Sequence, residues 1–217
     1  MPVKDVAKMS VSRGELGYTW FNGYAGVLLK TSKKTLIFDP VEVRVEELPP
    51  IDVVFVTHEH FDHLDESLVG DIYAANKCKV VADSTSYARL EGMIPSSDLI
   101  EAKVGDKIEV DEVVVNVEPS VHPAATPVTY VVSTEDGVVV YHTSDSAPFA
   151  EMRRIGQTYR PDIAFCTVGV APGTSPQTGV EIAKLVRPKV AIPYHTLKKA
   201  DLEVFSRLLA REAPDIR

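Results

Sequence analysis

The chain has 217 residues, with 23 basic against 31 acidic side chains for a formal charge of −8, and is 45% hydrophobic and 25% charged. That length can bury a substantial core and falls where one domain spanning residues 1–217 is expected, while the ordinary composition leaves no polar excess to read as disorder. The acidic balance argues against nucleic acid or an anionic membrane surface as partner, although a local basic pocket could still hold a small anion.

Two cysteines, Cys78 and Cys166, each lie inside an apolar run, the setting of buried thiols rather than a disulfide framework. The opening MPVKDVAKMS lacks the apolar run of a secretory signal, and nothing approaches the ~18 uninterrupted apolar residues of a membrane span. A cytoplasmic protein is expected, with no membrane partner. The sequence leaves its oligomeric state open.

In chain order, residues 16–21, 26–30, 35–38 and 53–57 are rich in β-branched and aromatic side chains between turn residues and read as short strands. After a His-rich loop, helical spacing runs over 65–75 (Leu68, Ile72, Ala75), strand returns over 79–82, and Ser84 can cap a helix reaching about residue 91. Residues 107–141 are again mostly strand, with 113–117, 128–133 and 138–141, the last two joined by the turn Glu135-Asp136-Gly137. A helix over 147–159, a strand over 162–168, a helix from 175 or 176 to 186, a strand over 189–192 and a helix over 200–211 complete the chain. Two similar halves, each supplying a sheet with helices, predict an α/β fold of four layers, the αββα sandwich.

The chemistry concentrates in Thr57-His58-Glu59-His60-Phe61-Asp62-His63, which follows an apolar strand and precedes a helix and holds three of the six histidines. A loop at a strand end can aim several side chains at one point, and imidazole with carboxylate is a ligand mix suited to Zn²⁺ and acceptable to Fe or Mn. Three further candidates stand at strand ends: His122, Asp145 and His195. Each is weak taken singly; together they supply what two coordination shells would require. His142, three positions before Asp145, is expected to face away from them and to pack beneath a covering helix.

The order H-x-H-x-D-H, then a lone His, an Asp and a final His, each ending a strand, resembles the metallo-β-lactamase superfamily. The segments Arg160-Pro161-Asp162-Ile163-Ala164 and 187–195 narrow the likeness to its small metal-dependent hydrolases, similar to L-ascorbate-6-phosphate lactonase. The resemblance implies that His58, His60 and His122 hold a first metal, that Asp62, His63 and His195 hold a second, and that Asp145 bridges them. It also implies that Asp39 of Phe38-Asp39-Pro40 supports the ligands from outside. Two departures stand out: Asn22-Gly23-Tyr24 replaces a common Gly-His pair, and Ser144 replaces the usual Gly before the bridging Asp.

The implied activity is a dinuclear-metal-dependent hydrolase, with two divalent ions per chain, Zn first and Mn or Fe as alternatives. A metal-bridging hydroxide would attack a small ester-type substrate: a lactone, a phosphorylated lactone or a phosphodiester. Asp62 and Asp145 are the expected catalytic residues. Tyr194, Thr196, Lys198 and Ser146 lie close in sequence to the ligands, and Lys198 could attract an anionic small-molecule substrate. The Gly/Pro-rich loop 171–176, opening a helix, could receive a carboxylate or phosphate on free backbone N–H groups. A nuclease is disfavoured: about 50 residues separate Asp145 from His195, too few for the inserted domain such relatives carry. The competing class is a non-hydrolytic metal- or ligand-binding or redox protein on the same fold. In diiron relatives the second ligand of the first motif is Glu, whereas this chain has His60.

Overall fold

Four successive buried residues, Val53-Val54-Phe55-Val56, show how the chain is layered. A strand sends alternate side chains to opposite faces: Val53 and Phe55 enter an apolar cluster shared by two sheets, while Val54 and Val56 enter a second cluster beneath helices. In the computed structural model, which describes residues 3–6 and 8–217, this strand lies inside a six-stranded sheet. Its members are β1 (Gly17–Trp20), β2 (Val27–Lys30), β3 (Thr35–Phe38), β4 (Val53–Val56), β5 (Lys79–Asp83) and β6 (Leu99–Ala102), paired in that order. The first three are antiparallel, and β3 to β6 are parallel.

The second sheet pairs β7 (Lys107–Val110), β8 (Val113–Pro119), β9 (Val128–Ser133), β10 (Val139–His142), β11 (Ile163–Thr167) and β12 (Val190–Tyr194) in chain order. Here β7 to β10 are antiparallel, and β10 to β12 are parallel. After α1 (Val3–Val6), α2 (Glu66–Asn76) and α3 (Ser84–Leu90) make the crossovers of the first sheet. Helices α4 (Met152–Tyr159) and α5 (Pro176–Val186) make those of the second, and α6 (Lys199–Glu212) follows β12. Val69 and Ile72 of α2 pack on the outer face of the first sheet, and Ile155, Val180 and Phe205 of α4 to α6 on that of the second. The expected αββα order of layers is present. Among the described residues no helix is long and apolar enough to cross a membrane.

Three local differences have physical causes. Helix α4 begins at Met152 rather than 147, because Pro148 disfavours helical backbone at Ala147 and the Ala147 N–H is drawn to the Val121 carbonyl at 3.0 Å. The N-cap of α3 is Asp83, whose carboxylate accepts from the Thr85 and Ser86 N–H groups, so Ser84 is the first helical residue. His142 does not lie beneath a helix. Tyr141 takes that side, and the His142 ring enters the layer between the sheets, stacked on Phe38 at 4.7 Å with Nε2 donating to the Ala25 carbonyl at 3.0 Å.

Candidate metal centre

Strands β8, β10, β11 and β12 point the same way, as do β3 and β4, so their carboxyl ends open where α/β sheets commonly hold ligands. Asp39 follows β3, the segment from His58 to His63 follows β4, and His122, Asp145 and His195 follow β8, β10 and β12. All seven residues implied by the motif converge in two groups whose donor atoms lie within 4.8 Å of one another: His58, His60 and His122, and Asp62, His63, Asp145 and His195. His142 is in neither.

In the first group His60 Nδ1 lies 3.2 Å from His58 Nε2 and 3.1 Å from His122 Nε2. In the second, Asp145 Oδ1 lies 3.0 Å from His63 Nε2 and 2.8 Å from His195 Nε2. The other oxygen of Asp145 turns to the first group, 3.7 Å from His122 Nε2. Asp62 Oδ2 stands 3.9 Å from the Nε2 atoms of both His63 and His195.

These donors are aimed from behind. The Asp39 carboxylate sits 2.8 Å from His63 Nδ1 and accepts from both the N–H and the hydroxyl of Thr57. Asp39 itself has φ 44°, a left-handed conformation that Asp tolerates better than most residues. His195 Nδ1 donates to the Gly169 carbonyl at 3.0 Å, which leaves Nε2 free to coordinate. Ser144 explains the departure noted in the sequence: its φ of 50° is one that glycine adopts without cost. Here the serine gains a contact, its hydroxyl donating to Thr57 Oγ1 at 2.8 Å and lying 3.4 Å from His58 Nδ1.

The donor set fits a divalent cation. His63 Nε2, His195 Nε2 and Asp145 Oδ1 are buried without a hydrogen-bond partner although they crowd together, an arrangement that costs free energy unless a cation lies among them. Burial would lower the His63 pKa, yet Asp145 and Asp39 raise it to about 10. Burial would likewise raise Asp145, but His63 and His195 hold it well below the usual carboxylate range. The field therefore favours positive charge at this point, and a metal ion would displace the His63 proton. Burial and the charge of His63 depress His58, leaving it a neutral imidazole, the form a metal binds.

Of the polar residues near the ligands in sequence, three serve as scaffold. Tyr194 is fully buried and donates to the Ser144 carbonyl at 2.9 Å. Thr196 donates to Asp201 at 2.6 Å, and Ser146 accepts from the Val121 N–H at 2.9 Å. Lys198 is exposed. The 171–176 loop closes on itself through the Thr174 hydroxyl, which donates to the Ala171 carbonyl at 2.7 Å, and a Ser175–Thr178 capping box starts α5. One brace was not visible in the motif: the Glu59 carboxylate accepts from the Ala125 N–H at 2.9 Å, tying the loop that carries His122 to the His58–His63 loop. Its signal was only a carboxylate between two ligands.

Comparison with known proteins places this arrangement. The β-lactamase superfamily domain matches residues 21–196. A UPF0173 metal-dependent hydrolase of Staphylothermus marinus is 32% identical over 202 residues, covering 86% of each chain. One of Saccharolobus solfataricus is 31% identical, covering 86% of this chain and 89% of its own. Among solved structures, Igni18, a metallo hydrolase from Ignicoccus hospitalis, shares the fold with a TM-score of 0.77 at 21% identity, covering 93% of this chain and 94% of its own. With its sandwich, its seven converging donors and these relatives, the chain belongs to the β-lactamase superfamily and, within it, to the UPF0173 metal-dependent hydrolases.

Proposed function

We propose that His58, His60 and His122 hold one divalent ion, that Asp62, His63 and His195 hold a second, and that Asp145 is shared, for hydrolysis of a small ester-type substrate: a lactone, a phosphorylated lactone or a phosphodiester. The observation that carries this reading is the split of the Asp145 carboxylate, one oxygen facing the His63 and His195 nitrogens and the other facing His122. Zinc suits the His/Asp set first, with Mn or Fe as alternatives. A substrate other than nucleic acid belongs to the same proposal, resting on the formal charge of −8.

Bound ions would supply a water acidic enough to lose its proton near neutral pH and a Lewis acid for the attacked group. The chain's own residues do the rest. Asp62, whose side chain is 10% exposed while Asp145 is 3% exposed, is the carboxylate nearer solvent. It would accept a hydrogen bond from that water and orient it. Asp39, the Gly169 carbonyl and Thr57 fix the imidazoles and their tautomers. A thiol route has no support: Cys166 is fully buried, and burial raises the Cys78 thiol to about 11.

The test is metal analysis of purified protein together with hydrolysis of neutral lactones, sugar-phosphate lactones, phosphodiesters and thioesters. Two ions per chain, and turnover abolished in both Asp145→Ala and His60→Ala, are expected. Two bound ions without turnover of any member, or turnover that survives both substitutions, would overturn the reading.

A further inference from the structure

Apolar residues surround the donor groups in a way that the catalytic reading does not use. Among the described residues eight large hydrophobic side chains are exposed, and four of them adjoin the candidate ligands. Phe61, 80% exposed, lies between His60 and Asp62; Leu197, 72% exposed, follows His195 by two positions. Val121, 49% exposed, precedes His122, and Val170, also 49% exposed, follows the Gly169 whose carbonyl holds His195.

These residues do not merely happen to be exposed. Leu197 rests on the 22–25 loop so closely that a Cβ at Gly23 would stand 2.3 Å from its Cδ2. The next residue, Tyr24, meets Phe61 edge-on at 6.3 Å and His195 at 6.2 Å. The loop is built for this. Asn22 Oδ1 accepts from the Tyr24 and Gly26 N–H groups at 3.0 Å, its amide donates to the Val41 carbonyl at 3.1 Å, and the Trp20 indole donates to the Tyr24 carbonyl at 2.6 Å. Asn22-Gly23-Tyr24, a departure from the family pattern, thus sets an aromatic ring beside a ligand. Val170 is held at φ 62°, a genuine outlier for a β-branched residue, and strain of that kind concentrates at ligand-binding segments.

Charge points the same way. No lysine or arginine stands within two residues of any of the seven donors, and Lys198, third after His195, is the single cation within three. Arg89, which reaches the Glu59 carbonyl at 3.1 Å, is shared with Glu66 at 3.8 Å. Exposed apolar side chains beside polar, converging groups are the ordinary build of a small-molecule site.

We propose that the arc Leu197–Tyr24–Phe61, with Val121 and Val170, binds the hydrocarbon part of a neutral substrate, so that the chain acts on apolar esters or alkyl lactones rather than phosphorylated ones. This rests on the hydrolase reading and narrows its substrate class. Full burial of a methylene corresponds to about a fourfold change in affinity; on a rim that covers one side, about twofold per methylene is expected.

The experiment uses the metal-loaded protein and p-nitrophenyl esters from acetate to octanoate, with an anionic hemisuccinate ester and a phosphorylated lactone alongside. The octanoate-to-acetate ratio of kcat/KM should be roughly fiftyfold and should fall severalfold in Phe61→Ser and Leu197→Ser. A second reading comes from Trp20, the sole tryptophan, which is bonded to the Tyr24 carbonyl. Its fluorescence, titrated with the non-hydrolysable ketones 2-pentanone and 2-decanone, should report tighter binding of the longer chain. Hydrolysis with no chain-length dependence, or preference for the anionic compounds, overturns the inference while the hydrolase reading stands. Selective binding of 2-decanone with no hydrolysis of any compound keeps the arc as a hydrocarbon-binding surface but overturns the hydrolase reading and the substrate class that rests on it. A dimer, seen by light scattering, that these substitutions dissociate without changing the ratio makes the rim an interface between copies and overturns the inference.

Discussion

The two donor groups both face the Asp145 carboxylate but differ in how firmly their imidazoles are held. His63 and His195 are fully buried, and each is fixed through Nδ1, by the Asp39 carboxylate and by the Gly169 carbonyl. In the other group His58 is buried against Thr57, but His60 is only partly buried, and the Nδ1 of His122, a side chain 2% exposed, has no hydrogen-bond partner. An outer contact fixes the tautomer and ring orientation of a ligating histidine and typically changes metal affinity by 10–100-fold. On the two-ion reading proposed above, the braced group would be the tight site and the His58 group the one that exchanges its ion.

The largest effect is expected where the groups meet. Asp145→Ala removes the shared carboxylate and should lower kcat by at least about 10³-fold while reducing bound metal below two per chain, read by assay and elemental analysis on one sample. Loss of activity with two ions retained would mean that the groups do not depend on a common ligand.

Next comes a control outside both groups. Burial lowers His142 to about 4. The folded state thus keeps it neutral down to that pH, whereas the unfolded chain takes up a proton near 6.5. Between these values the unfolded state binds more protons, so stability falls as pH drops from 6.5 to 4, by roughly 3 kcal/mol from this residue. His142→Gln should flatten that limb in chemical denaturation, read as slope rather than as absolute stability. An unchanged slope would assign the acid sensitivity to the donor histidines instead.

Asp39→Asn tests the brace itself, since Asn also accepts a positive φ. Chelator titration of the wild type should remove the ions in two steps separated by about 10–100-fold in affinity. In the variant the second step should move toward the first. A single step in both proteins would show the groups to be equal. The smallest effect belongs to Glu59→Ala, which frees the loop carrying His122. About 1 kcal/mol, or roughly fivefold in affinity, should be lost in the first step of the titration only.

How much of this could be read in advance follows from what a sequence encodes. The His58–His63 cluster was legible from density alone, and Asp39, His122, Asp145 and His195 from strand ends once the pattern was completed by resemblance. The Gly169 brace was not, because a carbonyl belongs to every residue and only the fold decides which one faces His195. Ser144 carried half a signal: the motif marked it as a departure, but its φ of 50° and its bond to Thr57 appear only in three dimensions. His142 was misplaced because alternation specifies that neighbours face opposite ways without saying which side is the helix layer; Tyr141 took that side. Phe61 and Leu197 look like ordinary core residues until their exposure is known, although an apolar residue flanked by ligands on both sides was a usable hint.

Neither donor group belongs to one sheet. His58 and His60 come from the first sheet and His122 from the second; Asp62 and His63 from the first, Asp145 and His195 from the second. Each ion would therefore act as a rivet through the two halves of the sandwich, adding about 2.7 kcal/mol of cohesion when free metal stands at a hundred times its dissociation constant. A chain cut in the 103–106 connection that joins the sheets would then reassemble from its fragments in proportion to the metal supplied, and come apart again on chelation.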